Sequence, residues 1–265
     1  SLLDQVSTDQ ISTLIGDLSG VRPVSIYGTN ITLNTRYTFA PRIRDAERYL
    51  YQFYEQRGMA VRYDDWTYGS YSGRNIIAEI PGTQHPERIW IVGGHFDSIS
   101  QDPYNSAPGA DDNGSGTAAT LVIADILRHV QLGDTVRFVH FSGEEQGHWG
   151  SKSYARSLSL AGAQVMGYID LDMIGWDGDG DRVMEIHTGT DQASNDLGTL
   201  FISANTAYNQ QLVIERKTTT ANRFSDHSSF WDYGYPAFLD IENFFVDAIS
   251  NDRNPWYHNT GDLLS

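Results

Sequence analysis

The chain has 265 residues, of which 34 are acidic and 18 basic, so its formal charge at pH 7 is −16. Charge of this sign repels nucleic-acid phosphates and anionic lipid head groups, which argues against nucleic-acid and membrane partners. The hydrophobic share of 40% excludes disordered and fibrous classes, and the absence of cysteine leaves His, Asp and Glu as the available metal ligands.

The apolar residues of the N-terminal quarter predict two amphipathic helices. Large side chains recur at helical spacing, as Ile11, Leu14, Ile15 and Leu18 in the first helix and Ile43, Ala46, Leu50, Phe53 and Tyr54 in the second. Gly58 is expected to stop the second helix. No stretch approaches the roughly 18 continuous apolar residues of a membrane-spanning helix. Residues 1–10 lack the pattern of a secretory signal.

Strands and helices then alternate along the chain. Strands predicted at 74–80 and 88–94 flank a short Pro81-Gly82 turn, which predicts a hairpin or an antiparallel edge pair. The later segments are a helix at 114–130, a strand at 135–141, a helix at 149–160, strands at 165–175 and 182–189, a helix at 191–208 and a strand at 236–244. This order predicts an α/β fold with a mostly parallel, buried sheet. Because no linker or repeat interrupts it, we expect a single domain over residues 1–265.

Polar side chains that suit metal binding follow the predicted strands, where open α/β sheets bind their ligands. They are His95, Asp97, Asp111, Asp112, Glu144, Glu145, Asp172 and His227. A histidine such as His95 is, on its own, more typical of a buried core, but Asp97 shares its face in an extended segment and can accept the imidazole N–H. Asp172 interrupts an apolar run, and because a buried unpaired carboxylate costs several kcal/mol, it favours a bound cation.

The other residues of this set have plainer alternatives. Asp111 and Asp112 lie in a glycine-rich loop before a helix, where either could be a cap, and the sequence does not separate them. Glu144 and Glu145 could be a solvated acidic pair. In an extended chain they point to opposite sides, so that one could bind a metal and the other a water. His227 could be an ordinary residue at a helix N-terminus.

Five segments resemble, in their order and spacing, the motifs of peptidase family M28, the di-zinc aminopeptidases of bacteria. They are GGHFDS (93–98), PGADDNGSG (108–116), SGEEQG (142–147), LDMIG (171–175) and SDHSSF (225–230). The segment WYHNTGD (256–262) also resembles that family, so the resemblance runs from about Asn75 onwards. It implies a three-layer αβα fold with a central mixed, mostly parallel sheet of the zinc-peptidase or phosphorylase/hydrolase-like kind.

The resemblance implies a role for each matching residue. His95 and Asp172 would bind one zinc ion, Glu145 and His227 a second, and Asp112 would bridge both. Glu144 would be the general base, Asp97 the partner of the histidine ligand, and the Asp112–Asn113 peptide would be cis. Four histidines stay unassigned, His140, His148, His187 and His258. The last of them is expected nearest the site, because the family's C-terminal motif approaches it.

The resemblance also implies a function. The enzyme would be a secreted, extracellular or periplasmic monomer that removes bulky hydrophobic residues from peptides with a free N-terminus. Co²⁺ or Mn²⁺ could replace Zn²⁺ in a shell of histidines and carboxylates. The residues that bind the substrate are not assigned. Aromatic side chains that could line an apolar pocket, or equally belong to the core, are Phe224, Phe230, Trp231, Tyr233, Tyr235, Phe244 and Phe245.

Two alternatives keep the metal centre and change the function. A carboxypeptidase or dipeptidase of the same family would need basic residues beside the motifs, and few are present. A catalytically inactive metal-binding module would have no use for Glu144. The segment WDGDGD (176–181) could be a Ca²⁺ site, but we expect a solvated turn instead. Position 12 of an EF-hand loop beginning there would be Thr188, where such a loop has Glu.

Overall fold

The protein is described here from a computed structural model, which describes residues 1–245 and 252–264. A short 3₁₀ turn at Leu3–Gln5 precedes the helices, which are α1 Thr8–Leu18, α2 Ile43–Glu55, α3 Gly114–Leu127, α4 Trp149–Leu160, α5 Gln192–Ala207 and α6 His227–Trp231. The two N-terminal helices match the predicted apolar stripes, and Gly58, just beyond α2, has the positive φ of a helix stop. Among the described residues, none of the helices is long and apolar enough to cross a bilayer.

The strands form a small and a large sheet. The small sheet pairs β1 Val24–Ile26 with β2 Thr29–Ile31. The large sheet contains β3 Ala60–Tyr68, β4 Tyr71–Ile80, β5 His85–His95, β6 Asp134–Phe141, β7 Gln164–Leu171, β8 Val183–His187, β9 Val213–Lys217 and β10 Ala237–Glu242. Their order across the sheet is β3-β4-β6-β5-β7-β10-β8-β9. Strands β6, β5, β7 and β10 run parallel, and the β3-β4, β4-β6 and β10-β8 pairs are antiparallel.

The predicted hairpin of β4 and β5 is wrong, because β6 lies between these two strands. The connecting turn crosses the start of β6 and is hydrogen-bonded to it. The amide of Gly82 donates to Thr135 Oγ1 at 2.9 Å, and the amide of Gln84 donates to the Gly133 carbonyl at 3.0 Å. A Cβ at Gly82 would lie 2.5 Å from the backbone of Asp134, so the crossing needs glycine at this position. The true hairpin partner of β4 is β3, which the sequence did not reveal.

Helices cover both faces of the large sheet, which confirms the predicted three-layer αβα fold. Alternate residues of β6 point to different layers, as expected for a strand. Phe138 packs with α1, α2 and α3, whereas Val139 packs with Tyr154 of α4 and Phe230 of α6. The sheet is therefore buried on both sides, and its parallel strands end together at one edge.

Candidate metal centre

Histidines and carboxylates converge at the carboxyl edge of the parallel strands. They are His95 at the end of β5, Asp112 in the loop before α3, Glu144 and Glu145 after β6, Asp172 after β7, and His258 in the C-terminal segment. His95 Nε2 lies 3.2 Å from Asp172 Oδ1 and 3.4 Å from Asp112 Oδ1. His258 Nε2 lies 3.2 Å from Asp112 Oδ2 and 3.1 Å from Glu145 Oε2. Asp112 thus stands between two histidine-carboxylate pairs, one at each of its oxygens.

Close backbone contacts bring the first of these pairs together. A Cβ would lie 2.3 Å from the carbonyl oxygen of Leu171 if it were added at Gly94, and 2.0 Å if it were added at Gly116. Glycine is therefore required where β5 and α3 approach the end of β7. Asn113 connects the same elements. Its Oδ1 caps α3 by accepting the Gly116 amide at 2.9 Å, and its Nδ2 donates to the Leu171 carbonyl at 2.7 Å. The preceding peptide, Asp112–Asn113, is cis, as the resemblance implies.

Asp97 is buried beside the cluster, but its carboxylate holds the backbone of the two glutamates. It accepts the amides of Glu144 and Glu145 at 3.3 and 3.4 Å and the hydroxyl of Thr38 at 2.7 Å. The nearer partner of His95 Nδ1 is the backbone carbonyl of Asp97 at 3.0 Å, whereas its carboxylate lies 3.7 Å away. The imidazole is therefore oriented by the main chain of Asp97 instead of the side chain that the sequence suggested.

Arg36, in the N-terminal quarter of the chain, holds the backbone around the cluster in place, and the sequence did not reveal this role. The side chain is fully buried and donates to four backbone carbonyls, Phe96 at 2.6 Å, Leu18 at 2.6 Å, Pro108 at 2.6 Å and Gly109 at 2.8 Å. Burial lowers its pKa to about 10, so the guanidinium stays charged at neutral pH. It ties α1 and the end of β5 to the loop that carries Asp112. An isolated arginine outside any motif gives no signal of this role in the sequence.

Asp111 points away from the cluster, which separates it from Asp112 as the sequence alone could not. Its Oδ1 accepts the Gly175 amide at 2.9 Å and its Oδ2 accepts Asn254 Nδ2 at 3.0 Å. Asp262 anchors the same loop, since its carboxylate accepts the amides of Asp111 and Asp112, both at 3.1 Å. The C-terminal segment therefore fixes the backbone of Asp112 as well as supplying His258.

His227 is not brought to this cluster. Its backbone amide donates to Asp170 Oδ2 at 2.7 Å, and its Nδ1 lies 3.3 Å from the same oxygen. Its Nε2 lies 3.1 Å from the carbonyl oxygen of Asn222, and its ring packs edge-on against Trp231. Both ring nitrogens thus have partners away from Asp112 and Glu145, and His258 occupies the position expected of His227.

A cavity of about 110 Å³ opens above the cluster. Its polar floor is formed by the residues above, and its apolar wall by Met173, Phe224, Leu239, Ile241, Phe244, Phe245 and Tyr257. Of the aromatic residues considered for a pocket, Phe224, Phe244 and Phe245 line it. Phe230 is buried in the core, while Trp231 and Tyr235 line a different cavity. A volume of this size suits one side chain better than a drug-sized ligand.

Acidic side chains dominate the floor of the cavity. Burial raises the pKa of Glu145 to about 7 and raises those of Glu144 and Asp172 above their ordinary values. Burial alone would lower the pKa of His258, but its contacts with Asp112 and Glu145 raise it to about 10. No lysine or arginine lines this cavity in the part of the chain that the structure describes. Without bound cations, the imidazole rings of His95 and His258 are the nearest groups that can carry a positive charge beside the buried carboxylates.

This donor set fits divalent metal ions. His95, Asp112 and Glu145 each offer a ligand atom within 4.8 Å of the others, and Glu145 Oε1 is buried without a hydrogen-bond partner. Histidine nitrogens and carboxylate oxygens are suitable ligands for zinc and related metals.

The acidic turn at 176–181 is a separate feature. Asp177, Asp179 and Asp252 lie together near the surface. Their carboxylates accept backbone amides, including Asp177 Oδ1 from Gly180 at 2.9 Å and Asp252 Oδ2 from Asp179 at 3.2 Å. These bonds agree with a hydrogen-bonded turn, and calcium binding there stays a prediction.

A mixed sheet covered by helices on both faces, with histidines and carboxylates at the carboxyl ends of its parallel strands, is an arrangement that suits a metal-dependent hydrolase. Residues 75–265 match the family described as Peptidase family M28, and the chain belongs to this family. The resemblance inferred from the five motifs is therefore confirmed.

Named relatives agree with this membership. A probable zinc metalloprotease of Pyrenophora teres f. teres (strain 0-1) is 30% identical over 195 residues, which cover 66% of this chain and 40% of that protein. A probable leucine aminopeptidase of Trichophyton verrucosum (strain HKI 0517) is 34% identical over 203 residues, covering 72% of this chain and 51% of that protein. The crystal structure of the Legionella pneumophila LapA aminopeptidase shares the fold, with a TM-score of 0.78 at 20% identity over 98% of this chain and 66% of that one. The chain thus spans between 40% and 51% of the length of these two curated relatives.

Proposed function

We propose that this chain is a di-zinc aminopeptidase that removes bulky hydrophobic N-terminal residues from peptides. The observation that carries the proposal is a cavity with an acidic floor of metal-ligand type and an apolar wall. His95 and Asp172 would hold one zinc ion, Glu145 and His258 the other, and Asp112 both. Bound zinc would supply an activated water and an electrophile for the scissile carbonyl.

Glu144 is the residue proposed to move the proton. It lies on the cavity floor, next in sequence to Glu145, and its carboxylate is not part of the histidine-carboxylate pairs that Asp112 joins. As general base it accepts a proton from the attacking water, and as general acid it returns this proton to the leaving amine. Asp97 fixes the backbone of Glu144 through its amide.

The charge of the cavity favours the amino end of a peptide. Carboxylates attract a substrate ammonium group and repel a C-terminal carboxylate. The guanidinium of Arg253 lies 4.3 Å from the ring centroids of two lining residues, Phe244 and Tyr257, but it is not itself a lining residue. A carboxypeptidase would need a cation facing the substrate, so we favour the aminopeptidase.

The test compares a Leu-initiated peptide with its N-acetylated twin, each incubated with zinc-loaded protein and analysed by mass spectrometry. We expect stepwise loss of N-terminal residues from the free peptide only, stopped by a chelator and restored by zinc. A Glu144→Gln variant that keeps its zinc is the matched control and should be inactive. Cleavage of the acetylated peptide from its C-terminus would instead support the carboxypeptidase, and no cleavage of either would support the binding module.

A further inference from the structure

Six aromatic side chains form a continuous surface beside the metal centre, and none of them lines the cavity. This aromatic surface consists of Tyr37, Phe39, Tyr68, Tyr71, Tyr104 and Trp149. The rings of Tyr68 and Tyr71 stack on Trp149, with centroids 4.5 and 5.4 Å away. Phe39 connects Tyr71 to Tyr37, at 4.7 and 5.5 Å. Tyr104 lies 5.2 Å from Tyr37. Three of the tyrosines, Tyr68, Tyr71 and Tyr104, are 56%, 50% and 57% exposed, and a contiguous exposed aromatic area is typical of a binding surface.

The hairpin of β3 and β4 carries two of these tyrosines past the end of the sheet. The pairing of β4 with β6 ends at Ile76 and His140, so residues 71–75 and their partners on β3 extend beyond it. Tyr68 and Tyr71 are directly opposite each other at the tip of the hairpin, so their side chains point to the same face. The tip therefore stands beside the carboxyl edge of the sheet, where the metal-ligand residues converge.

The aromatic surface is joined to the turn that carries the two glutamates of the metal centre. Trp66, buried below the hairpin tip, donates from Nε1 to Ser142 Oγ at 2.9 Å, and its ring contacts Trp149 edge-on at 5.8 Å. The amide of Trp149 donates to the Gly143 carbonyl at 2.9 Å. Thr38, whose two neighbours belong to the aromatic surface, accepts the Gly143 amide at 3.2 Å. These contacts hold the aromatic rings at a fixed position relative to the glutamates.

The apolar wall of the cavity lies on the other side of the metal centre. Leu239 and Ile241 of that wall are on β10, and Met173 follows β7. In the large sheet, β7 and β10 lie on one side of β5, whereas β6, β4 and β3 lie on the other. A cavity of about 110 Å³ holds one side chain, so the later residues of a peptide must lie outside it.

The proposed reaction selects the direction in which the rest of the peptide leaves the cavity. Glu144 returns its proton to the leaving amine, so the residue that begins with this amine must lie next to Glu144. The turn after Glu144 leads directly to Trp149 and hence to the aromatic surface. A peptide whose first side chain fills the cavity therefore continues towards the hairpin tip.

We propose that the aromatic surface binds the substrate residues that follow the scissile bond, and that it favours large apolar or aromatic side chains there. The proposal rests on the proposed aminopeptidase function, because it requires a peptide held at the metal centre by its first residue. Rings that already stack on one another present flat faces on which a substrate ring can pack with little loss of side-chain freedom.

The experiment compares Leu-Phe-Phe-Ala with Leu-Ser-Ser-Ala as substrates of the zinc-loaded enzyme, from the initial release of leucine. We expect kcat/KM to be about 5- to 10-fold higher for the first peptide, which is within the range that one or two aromatic contacts supply. In the double variant Tyr68→Thr/Tyr71→Thr this ratio should fall at least about threefold. Threonine suits a strand, so the hairpin is kept, and kcat/KM for Leu-Ser-Ser-Ala should stay within about twofold of wild type.

The matched control is Tyr208→Thr, which removes an exposed tyrosine at the end of α5 and should leave the ratio unchanged. If wild-type enzyme releases leucine from both peptides equally, or if the double variant keeps the wild-type ratio, the binding role is refuted while the proposed function stands. Equal losses on both peptides in the double variant would refute it as well. Wild-type protein that cleaves neither peptide would overturn both proposals.

A second measurement needs neither turnover nor the double variant. Zinc-loaded Glu144→Gln should bind Leu-Phe-Phe-Ala about 5- to 10-fold more tightly than Leu-Ser-Ser-Ala in calorimetry. The bound peptide should shift the indole ¹H–¹⁵N signal of Trp149, which is identified by its loss in Trp149→Phe. Binding that leaves this signal in place would contradict the proposal. A double variant that changes the oligomeric state and keeps the wild-type substrate ratio would instead assign the aromatic surface to a second copy of the chain.

Discussion

Replacing Arg36 examines whether the N-terminal quarter supports the metal centre. Arg36→Met keeps much of the side-chain volume but removes the donors to four buried carbonyls. A buried acceptor without a partner costs about 1–3 kcal/mol, so the lower limit for four carbonyls is about 4 kcal/mol. This is a large part of the roughly 5–15 kcal/mol that stabilises a typical domain. Arg36→Lys keeps the charge but offers three donors in a different geometry, and we expect a loss of about 2 kcal/mol.

Urea unfolding followed by circular dichroism measures these losses, on zinc-free and zinc-loaded protein. We also expect zinc to bind about 10-fold more weakly to Arg36→Met, since the loop that carries Asp112 loses its anchor. Arg42→Met is the matched control, because Arg42 is exposed and its one described hydrogen bond is long, at 3.4 Å to the Thr32 carbonyl. That variant should stay within about 0.5 kcal/mol of wild type. A loss of less than about 1 kcal/mol in Arg36→Met would show that water or a rearranged loop replaces these bonds, and would refute the reasoning.

Four further predictions concern single residues or the metal. After dialysis, His258→Ala should retain only one of two zinc ions, whereas His227→Ala should retain both, as measured by mass spectrometry of the metal. The opposite result would show that His227 is the ligand. Glu144→Gln should keep its zinc and lose roughly 10²–10⁴-fold in kcat, and loss of zinc would mean that the roles of the two glutamates are exchanged. Burial lowers the pKa of His140 to about 3, whereas the pKa of a histidine in the unfolded chain is about 6.5. Between these two pH values the unfolded state binds a proton that the folded state does not bind. The free energy of unfolding should therefore fall as the pH drops from 6.5 towards 3, by up to about 1.4 kcal/mol per pH unit. Urea unfolding of zinc-free His140→Leu should lack this slope, and equal slopes would exclude His140 as the cause. Chelation should lower the melting temperature of the wild type, and an unchanged melting curve after proven zinc removal would show that metal binding contributes no stability.

The sequence was sufficient to predict that polar residues at the strand ends would meet. His95, Glu145 and Asp172 each follow an apolar strand, and Asp112 lies in the loop before α3, where only the structure separates it from Asp111. Parallel strands bring such ends together regardless of the details between them. The fold class could be predicted for the same reason, because alternating strand and helix patterns are local signals.

The choice between His227 and His258 depended on contacts that are not local. Both histidines occur in segments that resemble the family, and both follow aromatic or polar stretches. Only the structure shows that Asp170, on β7, accepts a hydrogen bond from the amide of His227 and contacts its ring. Similarly, the crossing of the β4-β5 turn over β6 depends on hydrogen bonds between residues about fifty positions apart, for which hydrophobic periodicity carries no information.

The position of His258 along the chain has a consequence for biosynthesis. The ribosome adds this residue 163 positions after His95, which at about 5–20 residues per second corresponds to roughly 8–30 seconds. During that interval a nascent chain can already form the central strands, yet it lacks both one histidine of the cluster and the aspartate, Asp262, that anchors the loop of Asp112. A cluster assembled in this order stays incomplete until His258 has been added, so a reaction that depends on the full set of metal ligands can begin only after that residue has left the ribosome.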